Sequence, residues 1–317
     1  MDKTEGYKAA NISVFKTLDS VRENYNLFEL AQQINKTGDK KNLAKKLNIN
    51  RSVLSRAIDE AGILSTFKLI NKSKVVPLAR LKTIKERKLF FEKYDINKLE
   101  CRRLYRLVKG WRTLLEKDPR VLLTKEQHDL ILGSTLGDAS IRQRNKNCSF
   151  RVGHTKQQEK YLNWKYRLVK EFTKLPPSWN IRKLNNHTIK TLEFSTFTHH
   201  VFNFYRKLFY KDGRKRVTRE ILNMLTPRSL AIWVCDDGSF GTSQPYIILC
   251  TNAFSLQEHE TIKKYFEEIW GLSPTIGFRD KKYYYLRFKE KDTQKLIGII
   301  KPFVHESMKH KIGEKNE

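Results

Sequence analysis

Ile131-Leu-Gly-Ser-Thr-Leu-Gly-Asp138-Ala139 and Leu230-Ala-Ile-Trp-Val-Cys-Asp-Asp237-Gly238 share one pattern: an apolar run that closes on an acid followed by a small residue. Each predicts a helix that stays apolar to its last turn and then presents one carboxylate. The two acids stand 99 positions apart. Packed side by side, two such helices bring Asp138 and Asp237 together at one end of their interface. Paired carboxylates at such a point are a seat for Mg²⁺ on a phosphodiester substrate.

Working outward, Thr124-Lys-Glu-Gln127 has the form of a capping box, and Thr226-Pro227 offers a capping Thr with Pro at the first helical position. The same sequel is predicted after each motif: two strands, a helix, two strands and a helix. In the first half these fall near 140–145, 148–154, 157–173, 180–184, 189–195 and 198–209. In the second they fall near 239–242, 246–252, 255–270, 274–279, 283–289 and 291–303. The alternation of apolar and polar residues is clearest in Cys148 to His154 and Tyr283 to Lys289, as in a half-exposed strand. The chain therefore reads as internally duplicated, with repeats at about 121–218 and 222–317.

The first 120 residues read differently. They are poor in glycine and carry apolar positions at helical spacing, as in Leu27, Leu30, Ala31 and Ile34. Asn42 to Leu47, a turn at Asn48 to Arg51, and Ser52 to Gly62 have the phasing of a helix-turn-helix. In that reading Ser52 caps the second helix, Gly62 ends it, and Arg51, Ser55 and Arg56 face a DNA groove. The bland alternative is a helical hairpin with solvated charges. Residues 68–120 form a basic stretch in which Leu89/Phe90 and Leu104/Leu107 suggest helices or a linker. Asp118-Pro119 is a turn signal, so the boundary is drawn there: a helical domain at 1–120, then 121–317.

Charge names the partner class. The 317 residues carry 63 Lys and Arg against 34 acids, a net +29. Residues 1–120 contribute 28 basic and 14 acidic residues, 121–317 the remaining 35 and 20, so both parts should touch a polyanion. No apolar run approaches the roughly 20 residues of a membrane span. Met1-Asp-Lys-Thr-Glu-Gly has no signal core, which predicts an intracellular chain, cytoplasmic or organellar. Cys101, Cys148, Cys235 and Cys250 form no CxxC pair and read as reduced thiols. His199-His200 opens a predicted helix and reads as structural. No splice-junction residues flank the chain, so an intein is not expected.

The two motifs resemble those of the LAGLIDADG homing endonucleases, in the single-chain, two-motif form. Ile131–Ala139 matches with Gly133 in the glycine position and Asp138 as the catalytic acid, and Leu230–Gly238 matches with Asp237. The resemblance covers about 121–317. Leu136 departs from the pattern's first acid and Ile232 from its glycine, leaving Gly133, Gly137 and Ala231 to permit close helix packing; bulky Trp233 is expected to face the flanking sheet. The resemblance implies an α+β fold: a duplicated αββαββα core whose antiparallel β saddles grip DNA. It further implies that Asp138 and Asp237 hold Mg²⁺, with Mn²⁺ as a substitute. A basic residue beyond the last helix of each half is also implied. Lys215 lies 77 residues after Asp138 and Lys311 lies 74 after Asp237, with Arg214, Arg216 and Lys309 as competitors.

Sequence readout would then fall to polar residues on and beside the strands. In the first half these are Arg142, Arg144, Lys146, Arg151, Lys156, Arg182 and Lys183; in the second, Ser239, Gln244, Arg279, Lys281, Lys282 and Arg287. The function expected is a monomeric, Mg²⁺-dependent endonuclease that cuts both strands of double-stranded DNA. The alternatives are a maturase that binds structured group I intron RNA and a transcription regulator that binds DNA without cutting.

Overall fold

A computed structural model describes residues 20–21, 25–37, 39–66, 72–184, 187–242, 244–280 and 282–315. The chain separates into two compact units, residues 1–111 and 112–317.

The first unit is helical: α1 (Leu27–Thr37), α2 (Lys40–Lys46), α3 (Arg51–Thr66), α4 (Val75–Leu78), α5 (Ile84–Lys93) and α6 (Cys101–Lys117), the last containing the division between units. Leu30, Ile34, Ala44, Ile49, Val53, Leu54 and Ala57 form its core. Asp39 starts α2 by accepting from the amides of Lys41 and Asn42 at 3.0 Å. Asn48 turns the chain in the left-handed region at φ 52°, which asparagine tolerates. Two expectations are corrected here. Asn50, not Ser52, caps α3, because its side chain accepts from the Ser52 amide at 2.9 Å. The helix also runs through Gly62 to Thr66. Arg51 and Arg56 are exposed, whereas Ser55 is half-covered and accepts from Lys40 Nζ at 3.4 Å.

In the second unit, α7 (Lys125–Leu136) leads to β1 (Ser140–Arg144), β2 (Asn147–His154), α8 (Glu159–Leu168), β3 (Ser178–Leu184), β4 (His187–Ser195) and α9 (Val201–Phe209). A two-residue hairpin, β5 (Tyr210–Lys211) and β6 (Arg214–Lys215), and the short α10 (Arg219–Leu222) follow. Then come α11 (Pro227–Asp237), β7 (Gly238–Gly241), β8 (Tyr246–Leu249), α12 (Leu256–Tyr265), β9 (Thr275–Arg279), β10 (Tyr283–Phe288) and α13 (Glu290–Ile300). The sheets are antiparallel, in the orders β1-β2-β4-β3 and β7-β8-β10-β9. Both motif helices open on capping boxes, Thr124 with Gln127 and Thr226 with Ser229.

The two motif helices pack face to face at the centre of the unit. A Cβ on Gly133 would lie 2.3 Å from the Ser229 carbonyl oxygen, and one on Gly137 would lie 2.5 Å from Asp236 Cβ. Only glycine permits that approach. Each sheet turns its apolar side inward: Ile141, Phe150, Val152, Leu192 and Phe194 in the first, Ile247, Leu249, Leu286 and Phe288 in the second. Trp233, fully buried, stacks on Phe266, which meets Phe288 edge-on. The indole thus reaches the second sheet through the helical segment that covers it. His199 and His200 are buried and stacked at 4.0 Å.

Candidate active site

The α7 helix closes as the Gly137 amide donates to the Gly133 carbonyl, and the Ala139 amide then folds back onto Ser134 O at 2.7 Å. Asp138 is left at the junction with β1. On the other side Asp237 is the last residue of α11, and the Cys250 amide donates to its carbonyl at 2.9 Å, tying it to the end of β8. Each acid therefore sits where a motif helix becomes the first strand of a sheet.

The carboxylates feel one another and the loss of water. Burial first, then the like charge of Asp236, pushes Asp138 up to about 6. Burial, then Asp138 and Asp236, pushes Asp237 up to about 8. At neutral pH Asp138 is mostly ionised, whereas Asp237 needs nearby positive charge to ionise fully.

Two lysines are held against the backbone of the same junctions. Lys215 Nζ donates to the carbonyls of Gly137 at 2.9 Å and Ala139 at 3.1 Å, either side of Asp138. Lys311 Nζ donates to the Gly238 carbonyl at 2.6 Å, next to Asp237. Lys215 rides on the β5–β6 hairpin, whose turn uses left-handed Asp212 and Gly213. Burial lowers its pKa, against the opposing pull of Asp237, Asp138 and Asp236. Lys311 comes from a 3₁₀ segment, Glu306–Ile312. Of the competitors, Arg216 turns to the Lys207 carbonyl, and Arg214 is exposed.

Three further residues enter the site that the motif reading passed over. Asp236 and Lys165, both fully buried, pair at 2.6 and 2.8 Å across the two repeats. His154 Nδ1 lies 3.4 Å from Asp138 Oδ2, and its Nε2 lies 3.9 Å from Asp236 Oδ1. Ligand-capable atoms of Asp138, His154 and Asp236 all lie within 4.8 Å of one another. Burial, with Lys165 close by, pushes His154 down to about 4, so the imidazole is neutral. The signals for two of these were in the sequence: a doubled acid at Asp236-Asp237, and a lysine four residues after Tyr161 on the buried face of its helix. The arrangement is one-sided. Ser140 pairs with Arg151 and Ser239 with Ile248, so the counterpart of His154 is Thr251, which bonds His259 at 2.6 Å.

The donor set fits a hard divalent cation. Carboxylates that repel one another, Asp138 exposed and Asp237 half-buried, are relieved by such a charge, and the Gly137 and Gly238 carbonyls beside them already collect cationic donors. Asp236 is committed to Lys165, which leaves Asp138 and Asp237 as the acids open to an ion.

Beyond the acids, Arg142, Arg144 and Arg151 stand on the outer face of the first sheet. Arg151 pairs with Glu193, which also accepts from Asn180 Nδ2 at 3.1 Å and the Thr191 hydroxyl at 2.9 Å. Lys146 is exposed in the β1–β2 turn, and Lys156 is exposed just beyond β2. Arg182 and Lys183 lie on β3, but their side chains are outside the described structure, and Lys281 lies outside the described residues. In the second sheet, exposed Arg279 reaches Asn252 Oδ1 at 3.5 Å and Arg287 stacks on Tyr246 at 4.3 Å. Ser239 and Gln244 are exposed, and Lys282 lies over the Tyr283 ring at 5.0 Å.

Two helices meeting at glycine, two acids at their ends and two flanking four-stranded sheets define a class. The chain belongs to the LAGLIDADG DNA endonuclease family, whose pattern matches residues 128–296. It is 30% identical over 198 residues to the cytochrome b mRNA maturase bI2 of Debaryomyces hansenii, covering 60% of this chain and 75% of that one. It is 35% identical over 148 residues to the intron-encoded endonuclease ai4 of Dictyostelium discoideum, 44% of this chain and 91% of that one. Among solved structures it is similar to the homing endonuclease I-WcaI bound to its DNA recognition sequence, at 26% identity and a TM-score of 0.57, over 60% of this chain and 87% of that one. Mycobacterial proteins named RecA also match, and the chain spans about half of their length. Among the described residues no helix is long and apolar enough to cross a membrane.

Proposed function

We propose that the chain is a site-specific endonuclease that cuts both strands of double-stranded DNA with Mg²⁺, for which Mn²⁺ can substitute, and that it works as a monomer inside the cell. The observation that carries this reading is the duplicated junction: an acid at the end of each motif helix, a lysine bonded to the carbonyls beside it, and a sheet beginning there. Asp138 and Asp237 would hold the ion. When bound, it polarises the scissile phosphate and the attacking water and shields the leaving oxygen. The protein's own part is positional and electrostatic. An ammonium has three N–H donors, so Lys215 retains one after its two carbonyl bonds and Lys311 retains at least one. Aimed at the phosphate, these stabilise the charge that grows there as the bond breaks. The Lys165–Asp236 pair ties α8 of the first repeat to the end of α11 in the second. Arg142, Arg144, Arg151, Arg182, Lys183 and Lys146 in the first half, and Gln244, Arg279, Lys281, Lys282 and Arg287 in the second, would contact base edges and phosphates.

Residues 1–120 are assigned as a DNA-binding extension that presents α3, with Arg51, Ser55 and Arg56, to a groove. The four-residue turn between α2 and α3 and the exposure of the two arginines support this.

The test is to incubate the protein with Mg²⁺ and a plasmid carrying the uninterrupted version of its gene's insertion locus, beside Asp138→Asn, Asp237→Asn and an EDTA control. Wild type should linearise the plasmid, and the variants should bind it without cutting. Double-strand cutting by either variant would remove the proposed site. A second reading, binding of structured intron RNA as a maturase, is favoured by the similarity to the bI2 maturase. Binding of DNA without any cleavage would turn the assignment to that reading or to a regulator.

A further inference from the structure

The outer faces of the two sheets, which both begin at the acids, are chemically unlike. In the first, register sets Arg142 opposite Ser149, Arg151 opposite Ser195 and Asn180 opposite Thr191, with Glu193 on the same face. Hydrogen-bonding groups dominate it, with exposed Ile189, opposite Arg182 in register, as an aliphatic residue on the same face. In the second, Tyr246, Ile248, Tyr283 and Tyr285 share the face with Arg279 and Arg287, opposite in direction to buried Ile247, Leu249, Leu286 and Phe288. The tyrosines and Ile248 are partly exposed there.

Their rings lie across neighbouring strands. A Cβ on Gly277 would come within 2.1 Å of the Tyr285 ring, and one on Gly241 within 2.2 Å of the Tyr246 ring. Glycine thus lets each ring lie flat, and the Arg287 guanidinium lies over the Tyr246 ring. The result is a shallow apolar ridge with cations at its margin, continuous with Asp237 through Gly238. A surface of mixed aromatic and cationic character leading out of a phosphodiester site fits a duplex groove. The one apolar group that a major groove displays is the C5 methyl of thymine.

We propose that the second sheet reads its half of the DNA target mainly by packing thymine methyls on Ile248 and Tyr285, while the first reads its half by hydrogen bonds from Arg142, Arg144 and the Arg151–Glu193 pair. This rests on the DNA endonuclease reading. It adds that the two half-sites differ in the chemistry by which they are recognised.

The experiment uses the full chain carrying Asp138→Asn and Asp237→Asn. Duplexes bound from a random-sequence library are sequenced, and a parallel selection with Arg144→Ala added marks the half under the first sheet. Thymines are then replaced by deoxyuridine, which removes only the methyl. Replacement in the half under the second sheet should weaken binding about fourfold per contacted methyl, and replacement in the other half less than twofold. Tyr285→Ser should bind the thymine and deoxyuridine duplexes more equally, a ratio that does not depend on the variant's overall affinity. Equal deoxyuridine penalties in both halves, or a penalty that Tyr285→Ser leaves unchanged, would overturn the inference. Enrichment of no duplex at all would sink the DNA reading itself, and this inference with it.

Discussion

At the scale of single residues, the acids make the fold sensitive to pH. An unfolded Asp titrates near about 3.9, whereas Asp237 is held up to about 8 by burial, Asp138 and Asp236. The folded chain therefore binds more protons than the unfolded one between those values, and stability falls as pH rises through that window. Buried histidines pull the other way below about 6.5: His154, lowered to about 4, favours the fold as pH rises to its unfolded value. Above pH 7 the histidines drop out, while Lys215, whose pKa burial lowers, works against Asp237 as pH rises, so the comparison with Asp237→Asn isolates the carboxylate. Thermal melts of metal-free protein should show Tm declining there, with Asp237→Asn flattening the decline and Ca²⁺ opposing it. An equal decline in Asp237→Asn would show that the carboxylate is not the source. The motif acids were legible because each closes an apolar run. His154 was not, because a histidine at the end of an alternating strand gives no hint that it meets an acid 16 positions earlier.

At the scale of elements, the α7–α11 contact depends on two missing side chains. Gly133→Ala would drive a methyl into the Ser229 carbonyl and should cost about 1–3 kcal/mol in urea unfolding. Gly110→Ala, in the middle of α6 with nothing within 4 Å of its Cβ position, should stabilise by up to about 1 kcal/mol. A similar cost at both sites would refute the packing argument. Lys165→Met leaves Asp236 buried without its cation and should cost about 3–5 kcal/mol, whereas Lys165→Met with Asp236→Ala should cost less than the sum of the single changes. The helix starts were legible from Thr124 and Thr226 because capping is local chemistry. The strands were legible from alternation, apart from 250–252, where the ladder to β10 stops at Leu249. The cap of α3 was misassigned because Asn50 and Ser52 both suit that position, and the choice depends on where the turn at Asn48 releases the chain. The β5–β6 hairpin was missed because two residues per strand leave no period to read.

At the scale of the whole molecule, a net charge of +29 should make DNA affinity steeply dependent on salt. If six or more phosphates are neutralised, affinity should drop by at least about 10³-fold between roughly 50 and 200 mM salt. A shallow slope in a filter-binding or fluorescence titration would deny the net charge its proposed work. Duplication was legible from the repeated sequel of strands and helices; the way the repeats have diverged was not, because it lies in contacts between them. The Lys165–Asp236 pair runs in one direction only. The counterpart of Asp236 in the first repeat is Gly137, and the counterpart of Lys165 in the second is buried Ile262, eleven residues past Thr251 as Lys165 is past His154. Two copies of the first half would bury two lysines with no acid, and two copies of the second would bury two acids with no lysine. Pairing of either half with its own kind would therefore bury uncompensated charge. The charged couple, standing where the opposite repeats carry a glycine and an aliphatic residue, thus favours the joining of unlike halves over like ones.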